Sequence, residues 1–354
     1  MNTRLFKWLL TATVICCFIF VSTTVSAKKP VKPPPYYPVG SIQLGSGDDI
    51  WPGPGDDNFG DEDVFGGDGD DIISGGPGDD NLYGESGEDV LDGEDGNDRL
   101  DGGPGYDLLF GGPGDDFIKL SVFGESEMDF VDGGDGNDTL FFNALEYVDL
   151  DARTGTYTGH YFVVDKKTTT TVSVSGEFSN IERFMCAIRG GTYHGDEFDN
   201  RIMGNGGEHV MYGHGGNDQL NGGFADSSSD YLDGGDGDDQ LQGVYGDDYL
   251  IGGLGKDTIY IRQGLGHDVV EDFTRGDDTI TIFNSDVCFQ DLQMSLIEAG
   301  GDSTKGDTYI TWRVKRKLNT VSITLLDVEP QELSETDFDF NWDPDPRTEY
   351  PDCQ

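Results

Sequence analysis

Between Gly66 and Lys119 the chain repeats itself every nine residues, six times without a break: GGDGDDIIS, GGPGDDNLY, GESGEDVLD, GEDGNDRLD, GGPGYDLLF and GGPGDDFIK. Glycine opens each copy and returns at its fourth position. Aspartate holds the sixth (Asp71, Asp80, Asp89, Asp98, Asp107, Asp116) and an aliphatic residue the eighth (Ile73, Leu82, Leu91, Leu100, Leu109, Ile118). A fixed short period restricts the chain to a stacked, quasi-one-dimensional fold in which each unit meets only its neighbours. The end of each copy, such as Asn81-Leu82-Tyr83, suffices for one short strand whose middle side chain points inward. The rest of the copy must reverse the chain, and glycine supplies the conformations a tight turn needs. Two copies then make one flattened coil, with strands on both faces and glycine loops along both edges. The expected fold is all-β: a right-handed parallel β-roll, a form of β-solenoid.

Stacking such coils at the sheet spacing of ~4.8 Å places each loop beside the loop two copies later. Asp71 then neighbours Asp89, Asp80 neighbours Asp98, Asp89 neighbours Asp107, and Asp98 neighbours Asp116. Carboxylates held this close repel one another unless a cation sits between them. Calcium fits the residue types, because it accepts many oxygen ligands in irregular geometry and mixes carboxylates with the main-chain carbonyls of turns. Magnesium demands a stricter octahedron, and zinc wants nitrogen or sulfur. The turn glycines that complete the candidate sites are Gly67, Gly69, Gly76, Gly78, Gly87, Gly96, Gly103, Gly105, Gly112 and Gly114.

Less regular copies flank this array. LGSGDDIWP and PGPGDDNFG precede it, with Asp49 and Asp57 at the sixth position and Trp51 and Phe59 facing inward as a cap. After an insertion at Leu120 to Phe123, GESEMDFVD predicts one weakened turn, and GGDGNDTLF restores Asp138 and Leu140. A second block begins near Gly195, where Asn200 and His209 stand in place of aspartate. Asp218 follows, then a copy stretched by Ala225 to Ser229 before Asp230, then regular copies with Asp239, Asp248, Asp257 and finally Asp268. Its turn glycines are Gly235, Gly237, Gly253 and Gly255, and the neighbour rule joins Asp218 to Asp239, Asp239 to Asp257, and Asp248 to Asp268. About seven or more calcium ions follow, seven from the pairs in the two blocks and the rest at irregular turns.

These copies resemble the calcium-binding nonapeptide repeats of the RTX, or haemolysin-type, family (GGxGxDxUx), which implies a parallel β-roll with calcium in its loops. VDLDARTGTYTG and FSNIERF resemble the segment that joins two blocks in such proteins. The strands expected after Asp268, in DVVEDFTRGDDTITIF, DTYITW, TVSITLLD and SETDFDF, resemble the family's closing segment. The resemblance also implies a C-terminal export signal, from which the chain departs in carrying an N-terminal signal and a further tail, NWDPDPRTEYPDCQ.

The expected organisation is a signal peptide at 1–27, a proline-rich linker at 28–43, the first block at 44–141 and a β-rich inter-block segment at 142–194. The second block at 195–272, a capping β segment at 273–340 and a disordered acidic tail at 341–354 complete it. Arg4 and Lys7, the apolar run Leu9 to Val21 and the small residues Val25-Ser26-Ala27 carry the signal reading. The run is short for a membrane anchor. The expected localisation is extracellular, with cell-surface association open. Without the first 27 residues the chain has 20 basic against 69 acidic side chains, a charge of −49. That balance excludes nucleic acid and anionic membranes as partners and predicts that the metal-free chain expands until calcium folds it. Cys186, Cys288 and Cys353 allow at most one disulfide, so metal, not sulfur, is the expected staple.

The sequence holds no H-E-x-x-H and no G-x-S-x-G. The many paired carboxylates belong to the repeats, where a dication lowers their pKa, the opposite of what a general acid needs. His194, His209 and His214 are the histidines able to gather on one edge around a transition metal, against a plainer reading as loop histidines. The expected function is therefore non-enzymatic: a calcium-folded structural, adhesive or binding module, with cell-surface or matrix polysaccharide or protein as partner. The alternative is a hydrolase or polysaccharide-modifying enzyme with its site in residues 140–194.

Overall fold

The computed structural model describes residues 42–47, 49–51, 63–121, 129–143, 147–165, 168–186, 190–224, 227–262, 266–283, 291–297, 307–313 and 320–340. The chain divides into Met1–Pro38 and Val39–Gln354, and all described residues belong to the second unit. The expected signal peptide, most of the linker, Asp57, Phe59, Cys288, Cys353 and the tail from 341 lie outside the described residues.

The nine-residue period produces two long sheets, of thirteen and sixteen strands among the described residues. In the first, Asp63–Asp68, Asn81–Ser86, Arg99–Asp101, Phe117–Ser121 and Thr139–Asn143 lie side by side. In the second, Ile72–Ser74, Val90–Asp92, Leu108–Pro113 and Phe130–Asp135 do. Every one of these contacts is parallel, and each joins a strand to the one two copies later. The chain thus alternates between faces, which makes it a β-roll.

The eighth-position residues stack into the core. Val64, Leu82, Leu100, Ile118 and Leu140 align on one face, and Ile73, Leu91, Leu109 and Val131 on the other. None of them is more than 1% exposed. The four-residue insertion leaves this alignment intact: Leu120 is buried, and Asp116 and Asp138, 22 residues apart, occupy adjacent rungs. One aliphatic side chain per copy makes a thin core, worth ~1.5–3 kcal/mol per buried side chain. Leu100→Ala is expected to destabilise the calcium-saturated chain by about 2–5 kcal/mol, read from its denaturation midpoint.

Between the blocks, Thr156–Asp165 and Thr168–Ser179 pair antiparallel as a long hairpin, and Tyr147–Asp151 lies antiparallel on the hairpin's other edge. The expected strands at Gly159–Val164 and Thr170–Val174 fall inside the hairpin. Their antiparallel pairing follows from the short connection between them, since parallel strands need a long crossover. The roll continues through this insertion. Thr168–Ser179 is parallel to Phe130–Asp135, Tyr147–Asp151 is parallel to Gly190–His194, and on the opposite face Thr139–Asn143 pairs directly with Arg183–Cys186. Here aromatic residues fill the interior: Phe142 packs on Tyr157 at 5.2 Å and Phe178 on Phe184 at 5.4 Å, both edge to face.

At the far end, Thr320–Leu325 joins His267–Val270 in parallel, and Asp307–Arg313 and Gln293–Ile297 extend the sheet antiparallel. SETDFDF is only partly strand. Ser334 and Asp337 bond reciprocally around a 3-10 turn at Glu335–Asp337, because hydroxyl and carboxylate side chains here capture main-chain N–H groups, and only Phe338–Asp339 joins the sheet.

Candidate metal centre

The carboxylate of each sixth-position aspartate accepts a hydrogen bond from the rung before it. The Asp71 N–H donates to Oδ1 of Asp89 (2.7 Å), Asp80 to Asp98 (2.8 Å), Asp89 to Asp107 (2.9 Å) and Asp98 to Asp116 (2.7 Å). In the second block Asp218 donates to Asp239 (2.7 Å), Asp239 to Asp257 (2.9 Å) and Asp248 to Asp268 (3.3 Å). Asp138 continues the ladder by accepting from Asp116 at 2.8 Å. All seven pairs expected from the spacing are neighbours, in two columns, one on each edge of the roll.

The columns run further than the regular copies. Asp49 donates to Asp71 (2.7 Å), Asp107 to Asp129 (3.1 Å), Asp138 to Glu182 Oε2 (2.9 Å), Asp230 to Asp248 (2.9 Å) and Asp257 to Asp278 (3.0 Å). Asp129 was legible as the sixth residue of GESEMDFVD, and Asp278 closes the phrase TRGDD; Glu182 sits in FSNIERF, where no glycine marks a copy. Asn200 and His209 keep the ladder bonds, to Asp218 at 2.7 Å and Asp230 at 2.9 Å, yet bring no negative charge.

The second carboxylate oxygen decides what these loops can hold. Oδ2 of Asp89, Asp98, Asp116, Asp138, Asp218, Asp239, Asp248 and Asp257 is buried and accepts no hydrogen bond among the described residues. It points at the first-position glycine of its own copy. A methyl carbon built on Gly75 would lie 2.6 Å from Asp80 Oδ2 and 2.9 Å from the carbonyl oxygen of Gly93, one rung on. Built on Gly93, it would fall on Asp98 Oδ2 and 2.5 Å from the carbonyl oxygen of Gly111. Carboxylate and carbonyl oxygens therefore converge on the space that the missing Cβ leaves. The carbonyls nearest this space belong to first-position glycines, beyond the second- and fourth-position glycines named from the sequence. Among the described residues no three or more His, Cys, Asp or Glu gather in a group able to hold a metal ion, so main-chain oxygen has to complete any site the carboxylates begin. That all-oxygen, irregular set fits calcium.

Electrostatics gives the same answer. Burial, and after it the neighbouring carboxylates, raise the metal-free carboxyls: Asp89, Asp98, Asp138 and Asp257 to about 7, and Asp107, Asp218 and Asp268 to about 8. Asp116, Asp239 and Asp248 rise to about 6. A dication supplies the positive charge these buried acids lack. Gly93→Ala is expected to remove one bound calcium and lower the melting temperature. Gly76→Ala, whose added carbon meets nothing within 4 Å at φ +97°, keeps the ion count and brings only the positive-φ strain of ~1–2 kcal/mol. Counting metal in the dialysed variants separates the two.

Of the three histidines singled out, His194 and His214 meet, Nδ1 to Nε2 at 3.0 Å, while His209 is buried against the Tyr193 ring at 5.7 Å.

The fold and these loops define a calcium-binding β-roll. The family model described as RTX calcium-binding nonapeptide repeat (4 copies) matches residues 56–91, 92–119, 122–144, 194–227 and 224–259, and the chain carries RTX calcium-binding nonapeptide repeats across residues 56–259. No curated protein sequence matches it. Among solved structures, 23 chains match. One is the extracellular lipase LipA from Serratia marcescens, 17% identical with a TM-score of 0.18, in an alignment covering 81% of this chain and 41% of that one. The chain thus spans less than half the length of that structure.

Proposed function

We propose that this chain is a secreted module that acquires its fold only where calcium is abundant, and that it serves a structural or adhesive role outside the cell with no enzymatic activity of its own. The observation that carries this is the pair of columns of buried aspartates whose second oxygens face glycine-lined, oxygen-walled spaces. About seven ions fill the paired positions. Extracellular calcium modules bind with dissociation constants of ~10⁻⁴ to 10⁻³ M, so a chain of this kind stays unfolded in a low-calcium cytosol and folds after export. The N-terminal segment with Arg4, Lys7 and the apolar run from Leu9 supports export by that route. Among the described residues no helix is long and apolar enough to cross a membrane. The strongly acidic surface disfavours nucleic acid and suits a polysaccharide or protein partner at a cell surface or in a matrix.

Titrating calcium into the stripped chain while following its circular dichroism tests this reading. The expected midpoint lies between about 0.1 and 1 mM. A midpoint below a micromolar overturns the compartment switch, because the chain would fold before leaving the cytosol. A hydrolytic activity on polysaccharide or protein that is lost on substituting His160 or His194 overturns the non-enzymatic reading.

A further inference from the structure

His194 and His214 turn their side chains to the outer surface of the sixteen-strand sheet. His194 ends the strand Gly190–His194, and His214 lies near the end of the next strand, Glu208–Gly215. His214 occupies the second position of its copy, at φ +75°, in register with Gly235 of the following rung. That backbone geometry turns a second-position side chain back over the last residue of the strand one rung earlier. Ser74 and Glu94 make the same contact, also 20 residues apart, with Glu94 at φ +68°. The nonapeptide geometry thus brings the two imidazoles together, Nδ1 of His194 3.0 Å from Nε2 of His214.

Tyr212 holds the pair in place. Its ring stacks on His194 at 4.7 Å with planes 6° apart and lies 6.1 Å from His214, and the two imidazoles are themselves 5.3 Å apart. Asp151, in register with His194 on the other side, bonds Arg153 through both carboxylate oxygens at 2.9 Å. Neutral imidazole is the form that binds metals.

We propose that His194 and His214 chelate one borderline transition-metal dication, copper(II) ahead of zinc, at a site separate from the calcium array. Two nitrogens bound to one tetrahedral zinc at ~2.0–2.1 Å are ~3.3 Å apart, close to the observed separation, and because the two nitrogens face each other head-on each ring turns by roughly 35° to aim its lone pair at a shared ion. Imidazole is a ligand these ions share, and the affinity series places copper(II) highest, whereas calcium wants oxygen and does not compete. Water fills the remaining positions, which leaves the ion open to an exogenous ligand.

The test uses the untagged, calcium-saturated full chain titrated with copper(II) and read by calorimetry and electron paramagnetic resonance. One equivalent bound with coupling to two imidazole nitrogens is expected. His214→Gly restores the residue that Gly235 supplies in the neighbouring rung and relieves the positive φ, so it folds with a melting temperature no lower than the parent's and loses the nitrogen-coupled site. Should His214→Gly not fold, His194→Gln is read in the same way. The absence of a two-nitrogen copper signal in the parent chain, or its survival in the folded variant, overturns the site.

Discussion

Excess EGTA added to the calcium-loaded chain is expected to remove most of its β-sheet circular dichroism, and returning calcium to restore it. Three observations set the size of this effect. The core is one aliphatic side chain thick along most of the roll. The chain carries a formal charge of −47, and most of its sixth-position aspartates are buried, Asp138, Asp218 and Asp239 at 0% exposure. Eight of those aspartates leave an oxygen without a hydrogen-bond partner among the described residues. A buried polar group left unmatched costs ~1–3 kcal/mol, more when charged. Calcium reverses the sign at each site and adds ~2.7 kcal/mol per site at a hundredfold excess over its dissociation constant. Summed over several sites, that exceeds the ~5–15 kcal/mol by which folded proteins are ordinarily stable. The roll and its ions are therefore one thermodynamic object, and retention of the full β signal in EGTA would sink this account.

The repeat made most of this legible before any coordinates. A period of nine fixes which side chain of each strand points inward and which loop meets which, so Leu82 aligns with Leu100 and Asp80 with Asp98 by arithmetic alone. Where the period lapses, the reading stops. Glu182 joins the aspartate column from a stretch with no glycine signature, because the register is carried there by Leu140 pairing with Phe184 across the inserted hairpin. The role of the first glycine was also hidden. Glycine at a repeat position reads as a turn requirement, whereas Gly75 and Gly93 are needed because a side chain would occupy the space facing the carboxylate. The meeting of His194 with His214 follows from the twenty-residue offset that Ser74 and Glu94 share, a relation visible only once the second-position backbone is known to turn outward.

Protons and calcium compete for the same carboxylates, and this gives the second large effect. In the metal-free roll the buried aspartates titrate near 6 to 8, against 3.8 for the unperturbed side chain, chiefly because burial disfavours their charged form. The folded metal-free state thus binds more protons than the unfolded chain across this range. Its stability is greatest below the unfolded value and is lost as pH rises through the folded values. Acidifying the calcium-stripped chain from about pH 8 to about pH 5 is therefore expected to increase its β content. Exposed carboxylates, which ionise near ~4, stay charged over that window, so relief of surface repulsion does not account for the gain. The calcium midpoint moves the other way, rising as pH falls below about 8, since each ion must displace protons. Asp98→Asn, with the acid fixed in a neutral form, imitates protonation at a residue shared by two pairs: the metal-free chain becomes more structured at pH 8 and binds at least one calcium fewer. Stripped protein in metal-free buffer is the right sample, because a chelator's own affinity changes with pH. A β signal flat from pH 8 to pH 5 would place the aspartates in contact with solvent and remove the reason for calcium to govern the fold.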